Sequence, residues 1–291
     1  MRLLVHFHVY YHDQVPYYLH KLAAIGGCDW DLFVTWNTPS AQTEAEIRRL
    51  RPDAHFLQVE NVGYDIWPFV SLLRQVDLSA YDLVMKLHTK SARGKHVRLN
   101  GVRIGGYRWR DLLVDALLDS PARFASLLNI FAQDSQAGLA CNSVCVRKLS
   151  GNLPEDTQPL QAEMARLGLH PEADTFCAGT MFLARMAPFA RLRDADLRPE
   201  SFDASSASSR IGSMAHIYER ICTFVVTDAG YRIVPVVTDR RADFQMRLGR
   251  RLQPFFQQIF RLDREGPDRV KVLTLLGHRF VLTRKAPQDK K

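Results

Sequence analysis

Within the first ninety residues, short apolar runs alternate with stretches of helical periodicity, and that alternation limits the folds open to the chain. Residues 3–10 form an apolar run of strand length, bounded by polar residues. Residues 15–25 place Tyr18, Leu19, Leu22 and Ile25 at helical spacing, and Gly26-Gly27 stops that helix. Strand-like runs return at 31–36, 55–59 and 81–87, separated by helical stretches at 41–50 and 66–73. Such alternation predicts a parallel sheet wrapped by helices, as in nucleotide-binding folds. In open sheets of this kind ligands sit outside the carboxyl ends of the strands. The segments that follow each strand are therefore where binding residues are expected.

Farther along, residues 108–131 read as two helices split by Ser120-Pro121, and 137–146 and 176–183 read as strands. Short helices are expected at 160–167 and 188–192, a longer one at 214–221, and late strands at 223–227 and 231–237. The Ser-rich stretch 201–213 reads as a mobile loop. After Asp239 the character changes: Met246, Leu248, Phe255, Phe256, Ile259, Phe260 and Leu262 are interleaved with Arg250 and Arg251. This mixture reads as one or two interfacial helices.

Charge follows the same boundary. The net charge is +8, yet residues 240–291 hold 14 Lys and Arg against 5 Asp and Glu, while residues 1–239 hold 25 against 26. The basicity belongs to the tail, which points to an anionic surface, phospholipid or nucleic acid, as what the tail touches. The five scattered cysteines argue against a disulfide framework. Cys141 and Cys145 lack a neighbouring His or Cys cluster and read as small core residues rather than a zinc site. No window approaches the ~18 consecutive apolar residues of a transmembrane helix. The first residues read as a buried strand and not as a signal peptide.

Several constellations carry potential chemistry. Lys86, His88 and Lys90 share one side of an extended strand end, where they are able to hold a diphosphate or to form a solvated basic edge. In Asn61-Val62-Gly63-Tyr64-Asp65, Gly63 permits a close approach or an unusual backbone angle. Asn61 and Asp65 there either bond a ribose or base, or make an ordinary Asx turn into a helix. His6, His8 and His12 surround the first strand with Tyr10 and Tyr11; the histidines read as core or pocket lining, and the tyrosines as able to stack on a base. Ala178-Gly179-Thr180 breaks an apolar run with small residues, allowing close approach of a ligand or of other backbone. His216, Glu219 and Arg220 fit one helix face, a pattern that local reasoning assigns to a surface ion network.

These segments, in order, are His6-Phe7-His8-Val9-Tyr10-Tyr11, the strand at 31–35, Asn61 through Phe69, Tyr81 through Lys90, Trp109-Arg110-Asp111-Leu112-Leu113, Ala178 through Phe182, and Ala215 through Arg220. Together they resemble the rhamnan synthesis protein F family of polysaccharide glycosyltransferases, over roughly residues 3–225. One departure stands out: Tyr64 occupies the place where that family usually has Arg, which bears on any phosphate contact expected of that Arg.

The alternating topology also resembles the GT-A glycosyltransferases, which implies a GT-A-like, Rossmann-type α/β fold with a mixed, mainly parallel sheet flanked by helices; the tail beyond Arg240 lies outside the resemblance and is read from its own composition as a basic helical C-terminal extension. The domain reading is 1–239 for the transferase, with a nucleotide-sugar half at 1–135 and an acceptor and sugar half at 136–239, and 240–291 for the extension. The family resemblance implies transfer of rhamnose or a similar hexose from a nucleotide-sugar to a rhamnan, O-antigen or capsule. Tyr10, Tyr11, Asn61, Gly63 and Asp65 fall to the nucleoside end of the donor; Lys86, His88 and Lys90 to its diphosphate; Gly179 and Thr180 to its sugar. Glu219, oriented by His216 and Arg220, is the expected acceptor-hydroxyl base or else a donor-sugar contact. The cations stand where GT-A enzymes usually keep a metal-binding Asp-x-Asp, so a divalent metal is not favoured; Asp65 or His88 is its first ligand if one binds. The expected partners are the donor, a lipid-linked glycan acceptor and the cytoplasmic face of the inner membrane, reached through the tail. No nucleic-acid motif accompanies the basic tail. Two other classes remain as alternatives: a non-catalytic carbohydrate-binding or scaffold subunit of the same fold, and a basic nucleic-acid-binding protein.

Overall fold

The computed structural model describes all residues except 100–101, 150–153, 172–173, 203–212, 239, 242, 246–247, 249–250, 253–258, 266–269, 277 and 283–291. They form two compact units, Met1–His96 with Gly105–Thr238, and Val97–Ile104 with Asp239–Lys291.

The first unit opens with the expected alternation: β1 (Arg2–Val9), α1 (Val15–Leu22), β2 (Asp29–Trp36), α2 (Ala41–Leu50), β3 (His55–Gln58), α3 (Ile66–Leu73) and β4 (Leu83–His88). The chain then enters a two-stranded ribbon, β5 (His96–Leu99) and β6 (Val102–Gly105), whose residues Val97–Ile104 belong to the second unit, and returns to the first with α4 (Gly106–Leu118) and α5 (Pro121–Gln133). Then come β7 (Ala137–Asn142), β8 (Val146–Lys148), α6 (Pro154–Arg166), β9 (Thr175–Cys177), β10 (Phe182–Arg185), α7 (Ala190–Arg193), α8 (Met214–Asp228) and β11 (Arg232–Val236).

The central sheet has seven strands in the order β11-β7-β10-β4-β1-β2-β3. Six run parallel; β10 alone is antiparallel to its neighbours β4 and β7. The architecture is thus a mainly parallel mixed sheet flanked by helices. From Leu3 to Val9, and throughout β4 and β7, every residue is buried, as strands covered on both faces must be. Side-chain alternation divides the faces: Phe7 meets Tyr18 of α1 at 4.8 Å, while His6 stacks on Phe69 of α3 at 5.4 Å. Phe69 continues into Phe182 and Phe189, so α3 is pinned to the sheet by an aromatic cluster. Ser40 and Ser120 cap α2 and α5 by accepting from the Thr43 and Arg123 amides, and Pro121 opens α5.

Three expectations are corrected. Residues 223–227 belong to α8 and not to a strand, because their apolar side chains complete the buried face of a helix that packs on α3 and α7. The run 176–183 is broken into β9 and β10 by a turn at 178–181, where Gly179 and Thr180 both have positive φ. In the tail, residues 240, 241, 243–245, 248, 251, 252 and 259 are helical, and Met246, Arg250, Phe255 and Phe256 of the expected helices lie outside the described residues, but β12 (Phe260–Glu265), β13 (Val270–Leu275) and β14 (His278–Leu282) form a three-stranded antiparallel sheet. Val270-Lys271-Val272-Leu273-Thr274-Leu275 has the β-branched composition of a strand. The expected mobile loop lies, at 203–212, outside the described residues. No helix among the described residues is long and apolar enough to cross a membrane, and all five cysteines are free.

Candidate functional site

The registers of β1 and β4 place His6 opposite Lys86 and His8 opposite His88. All four polar side chains therefore point to the face that α3 covers, inside an otherwise apolar layer. A buried ammonium needs a partner, and Lys86 finds it in Asp65, the residue preceding α3. The Lys86 ammonium forms an ion pair with Asp65 Oδ2 and lies 3.3 Å from the Thr180 carbonyl oxygen. The Thr180 hydroxyl donates to the same Asp65 oxygen at 2.5 Å. The helix N-terminus behind Asp65 adds a favourable field for its negative charge.

Burial pushes the Asp65 carboxyl up, but the charge His88 takes on in acid, the lysines Lys86 and Lys90, and the Lys86 hydrogen bond outweigh it and hold Asp65 well below the usual carboxylate range. His88 moves the other way. Burial outweighs the pull of Asp65 and lowers it to about 3, so its ring is neutral at pH 7. The ring faces two carbonyls, Gly179 at 3.0 Å from Nε2 and Thr89 at 3.3 Å from Nδ1; a neutral ring has one proton to give, and the shorter contact places it on Nε2. Burial likewise lowers His8 to about 4 and His6 well below its ordinary value.

These shifts fix the sign of an acid response. Below about pH 6.5 an unfolded chain protonates these histidines while the folded one resists, so the unfolded state binds more protons. Their stabilisation is complete above about pH 6.5 and is lost as the pH falls toward their folded values; Asp65 adds a further loss below about pH 4. Urea denaturation at pH 7.5, 6.0 and 4.5 is expected to show stability falling by about 3 kcal/mol or more across that range. A flat profile would contradict the neutral buried histidines.

Above this layer a cleft of about 550 Å³ opens at the carboxyl ends of β1 and β4. Its walls are the segments after β1, β3 and β4, the turn between β9 and β10, and the first turns of α8. Of the expected site residues, Tyr10, Tyr11, Asn61, Asp65, His88, Lys90, Gly179, Thr180, His216 and Glu219 line it. Thr89 fastens two of its loops: its hydroxyl oxygen accepts from the Tyr10 and Tyr11 amides at 2.9 and 3.0 Å. Gln14 completes the fastening, donating to the Lys90 carbonyl and accepting from the Lys90 amide. The Tyr10 and Tyr11 rings meet edge to face at 4.8 Å. Glu219 Oε1 accepts from the Gly179 amide at 2.7 Å.

Three expected residues stand elsewhere. Lys86 is fully buried and paired with Asp65, so it does not reach the cleft as a diphosphate contact would. Gly63, at φ 63°, shapes the loop from beneath: a Cβ there would stand 2.6 Å from the Phe202 ring. Arg220 turns to the His216 carbonyl and the Phe176 ring. His216 bonds Ser213 and faces Tyr64, so Glu219 is held by the Gly179 amide rather than by His216.

The cleft also contains residues that sequence reasoning did not assign, including Tyr64, Thr89, Ser91 and Lys95. Lys95 had a legible signal, a second lysine in the loop after β4; Thr89 had none, because its role depends on amides some eighty residues away. Among the described residues no group of three or more His, Cys, Asp or Glu side chains is placed to hold a metal ion.

Comparison with known proteins places the chain among relatives. Two proteins called uncharacterized protein WxcX, from two strains of Xanthomonas campestris pv. campestris, are 29% and 28% identical over 231 residues, 79% of this chain and 32% of theirs. The chain thus spans about a third of the length of the curated relatives it matches. Among solved structures it is similar to residues 1–349 of S. aureus TarS, with a TM-score of 0.44 at 11% identity, over 89% of this chain and 73% of that one. It is also similar to the mannosyltransferase PcManGT from Pyrobaculum calidifontis, solved with GDP-Man and Mn2+, with a TM-score of 0.39 at 14% identity, over 88% and 62%. The rhamnan synthesis protein F family matches residues 1–231, which takes in every residue of the cleft. The chain belongs to the rhamnan synthesis protein F family.

Proposed function

We propose that the chain transfers a sugar, rhamnose or a similar hexose, from a nucleotide-activated donor to a growing cell-surface polysaccharide such as a rhamnan, O-antigen or capsule. The observation that carries this reading is one cleft, in a chain of this family, that brings together a tyrosine pair, two lysines and an anchored carboxylate. Tyr10 and Tyr11, with Asn61, offer a stacking and hydrogen-bonding surface for the nucleoside. Lys90 and Lys95, with the His88 ring beside them, face the diphosphate; Lys95 takes the part first expected of Lys86. The turn at Gly179 and Thr180 shapes the sugar end. Glu219 takes the proton of the acceptor hydroxyl as its oxygen bonds the anomeric carbon and the bond to the diphosphate breaks. The lysines stabilise the charge that builds on the leaving group.

The reading extends to a lipid-linked glycan acceptor at the cytoplasmic face of the inner membrane, with the basic residues after Arg240 as the contact. Deleting residues 244–291 is then expected to abolish cosedimentation with vesicles containing phosphatidylglycerol while leaving the first unit folded. Unchanged cosedimentation would remove the tail from this role.

Donor binding is tested by thermal denaturation with dTDP-rhamnose, GDP-mannose, UDP-glucose and the free nucleoside diphosphates, with EDTA and with Mn2+. A ligand at 100 times its Kd stabilises the native state by about 2.7 kcal/mol. A rise with one nucleotide family supports the transferase and names its donor class. Its survival in EDTA supports a diphosphate site made of side-chain cations. No rise with any nucleotide favours a carbohydrate-binding subunit without catalysis.

A further inference from the structure

The turn between β9 and β10 is held far more tightly than a connection of its length requires. Gly179 has φ 87° and Thr180 has φ 47°. The left-handed region is rare for a β-branched residue and persists only where surroundings impose it. Here three main-chain groups are gripped by side chains from two elements, α8 and β4. The Gly179 amide donates to Glu219 Oε1 of α8 at 2.7 Å. The Gly179 carbonyl accepts from His88 Nε2 of β4 at 3.0 Å, and the Thr180 carbonyl accepts from Lys86 Nζ of β4 at 3.3 Å. The Thr180 hydroxyl then closes on Asp65 Oδ2 at 2.5 Å, the oxygen that also receives Lys86. Asp65 itself follows a second left-handed pair, Gly63 at φ 63° and Tyr64 at φ 55°. One carboxylate oxygen therefore ties together two strained turns on the cleft wall.

We propose that Asp65, Lys86 and Thr180 are positioning residues that fix the Gly179 amide and, through it, the carboxylate of Glu219. The proposal rests on the reading of Glu219 as the acceptor base. A glutamate on a helix facing a cleft has several rotamers, and a fixed amide selects one of them. Catalytic power depends on such fixed geometry: a misplacement of about 1 Å is able to lower turnover about 100-fold. The polar groups of Asp65, Lys86 and Thr180 are spent on one another: the Lys86 ammonium pairs with Asp65 and the Thr180 carbonyl, and the Thr180 hydroxyl with Asp65. Their removal is therefore expected to lower kcat and to leave donor affinity in place.

The test compares Thr180→Val, which keeps the shape and removes the hydroxyl, with Thr180→Ser, which restores it. Thr180→Gly is a further variant that suits the left-handed backbone and also lacks the hydroxyl, so the comparison survives if the valine protein does not fold. The first readout is the Gly179 amide in glycine-labelled protein, assigned with Gly179→Ala: its proton shift and its hydrogen exchange. The second is release of nucleoside diphosphate from dTDP-rhamnose, GDP-mannose or UDP-glucose, whichever the wild type turns over, with donor affinity measured in parallel. Loss of the hydroxyl is expected to free the amide and to lower kcat about 10- to 100-fold, with donor affinity within about twofold and the serine variant near wild type. A wild-type amide in the valine and glycine variants, or a serine variant as impaired as they are, overturns the proposal. If the wild type turns over no donor, the transferase reading fails, and the amide readout alone still decides whether this network holds Glu219.

Discussion

Replacing Asp65 by alanine is expected to destabilise the first unit by about 3–5 kcal/mol. The reason is asymmetry. Lys86 is fully buried, and Asp65 is its ion-pair partner; without it the ammonium is left with the Thr180 carbonyl at 3.3 Å and the face of the Phe69 ring at 5.5 Å, neither of which carries a compensating charge. Taking one partner from a buried pair leaves the full desolvation penalty of the other. The Thr180 hydroxyl loses its acceptor at the same time, so a residue already at φ 47° loses a tether. Chemical denaturation should register this as a lower midpoint with an unchanged slope. The double variant Asp65→Leu, Lys86→Met removes both charges and is expected to recover much of the loss, since an apolar replacement of a buried pair is often neutral. A single Asp65→Ala protein as stable as wild type would mean that Lys86 escapes to water, which its burial contradicts.

This pair also shows where sequence reasoning stops. The strand end carrying Lys86, His88 and Lys90 was legible, and so was their common face, because a strand repeats every two residues. Their fates were not. Lys86 lies opposite His6 and β10, beneath Asp65 at 21 residues' separation and Thr180 at 94. Which cation is entombed and which reaches the cleft is decided by those distant contacts. The parallel strands β1 to β4 were legible because each is an apolar run closed by polar or glycine residues. The end of α8 was not, since Thr223 to Thr227 is β-branched and apolar like a strand, and packing against distant elements, among them β9, β7, α3, α6 and α7, makes it helical. Small residues at 178–180 announced a close approach. That the approach is a left-handed turn gripping Glu219 depends on Asp65 and β4, and no local pattern encodes it.

Glu219→Gln is expected to abolish most transfer, by about 100- to 10,000-fold in kcat, while leaving the protein as stable as wild type. The substitution is close to silent in structure. Glu219 Oε1 accepts from the Gly179 amide at 2.7 Å, and the glutamine carbonyl oxygen is able to accept the same bond. The side chain keeps its length, its place on α8 and its wall of the cleft; only its basicity goes. Donor affinity should therefore be unchanged, and the loss should fall on the step in which the acceptor hydroxyl gives up its proton. Steady-state kinetics distinguish the two roles open to this residue. A base lowers kcat and kcat/KM together, whereas a contact to the donor sugar chiefly raises KM for the donor. Near-wild-type turnover by Glu219→Gln, with the donor bound as tightly as before, would remove Glu219 from the chemistry. It would also remove the reason for holding it so firmly, since a carboxylate that takes no proton gains nothing from an amide fixed by two strained turns.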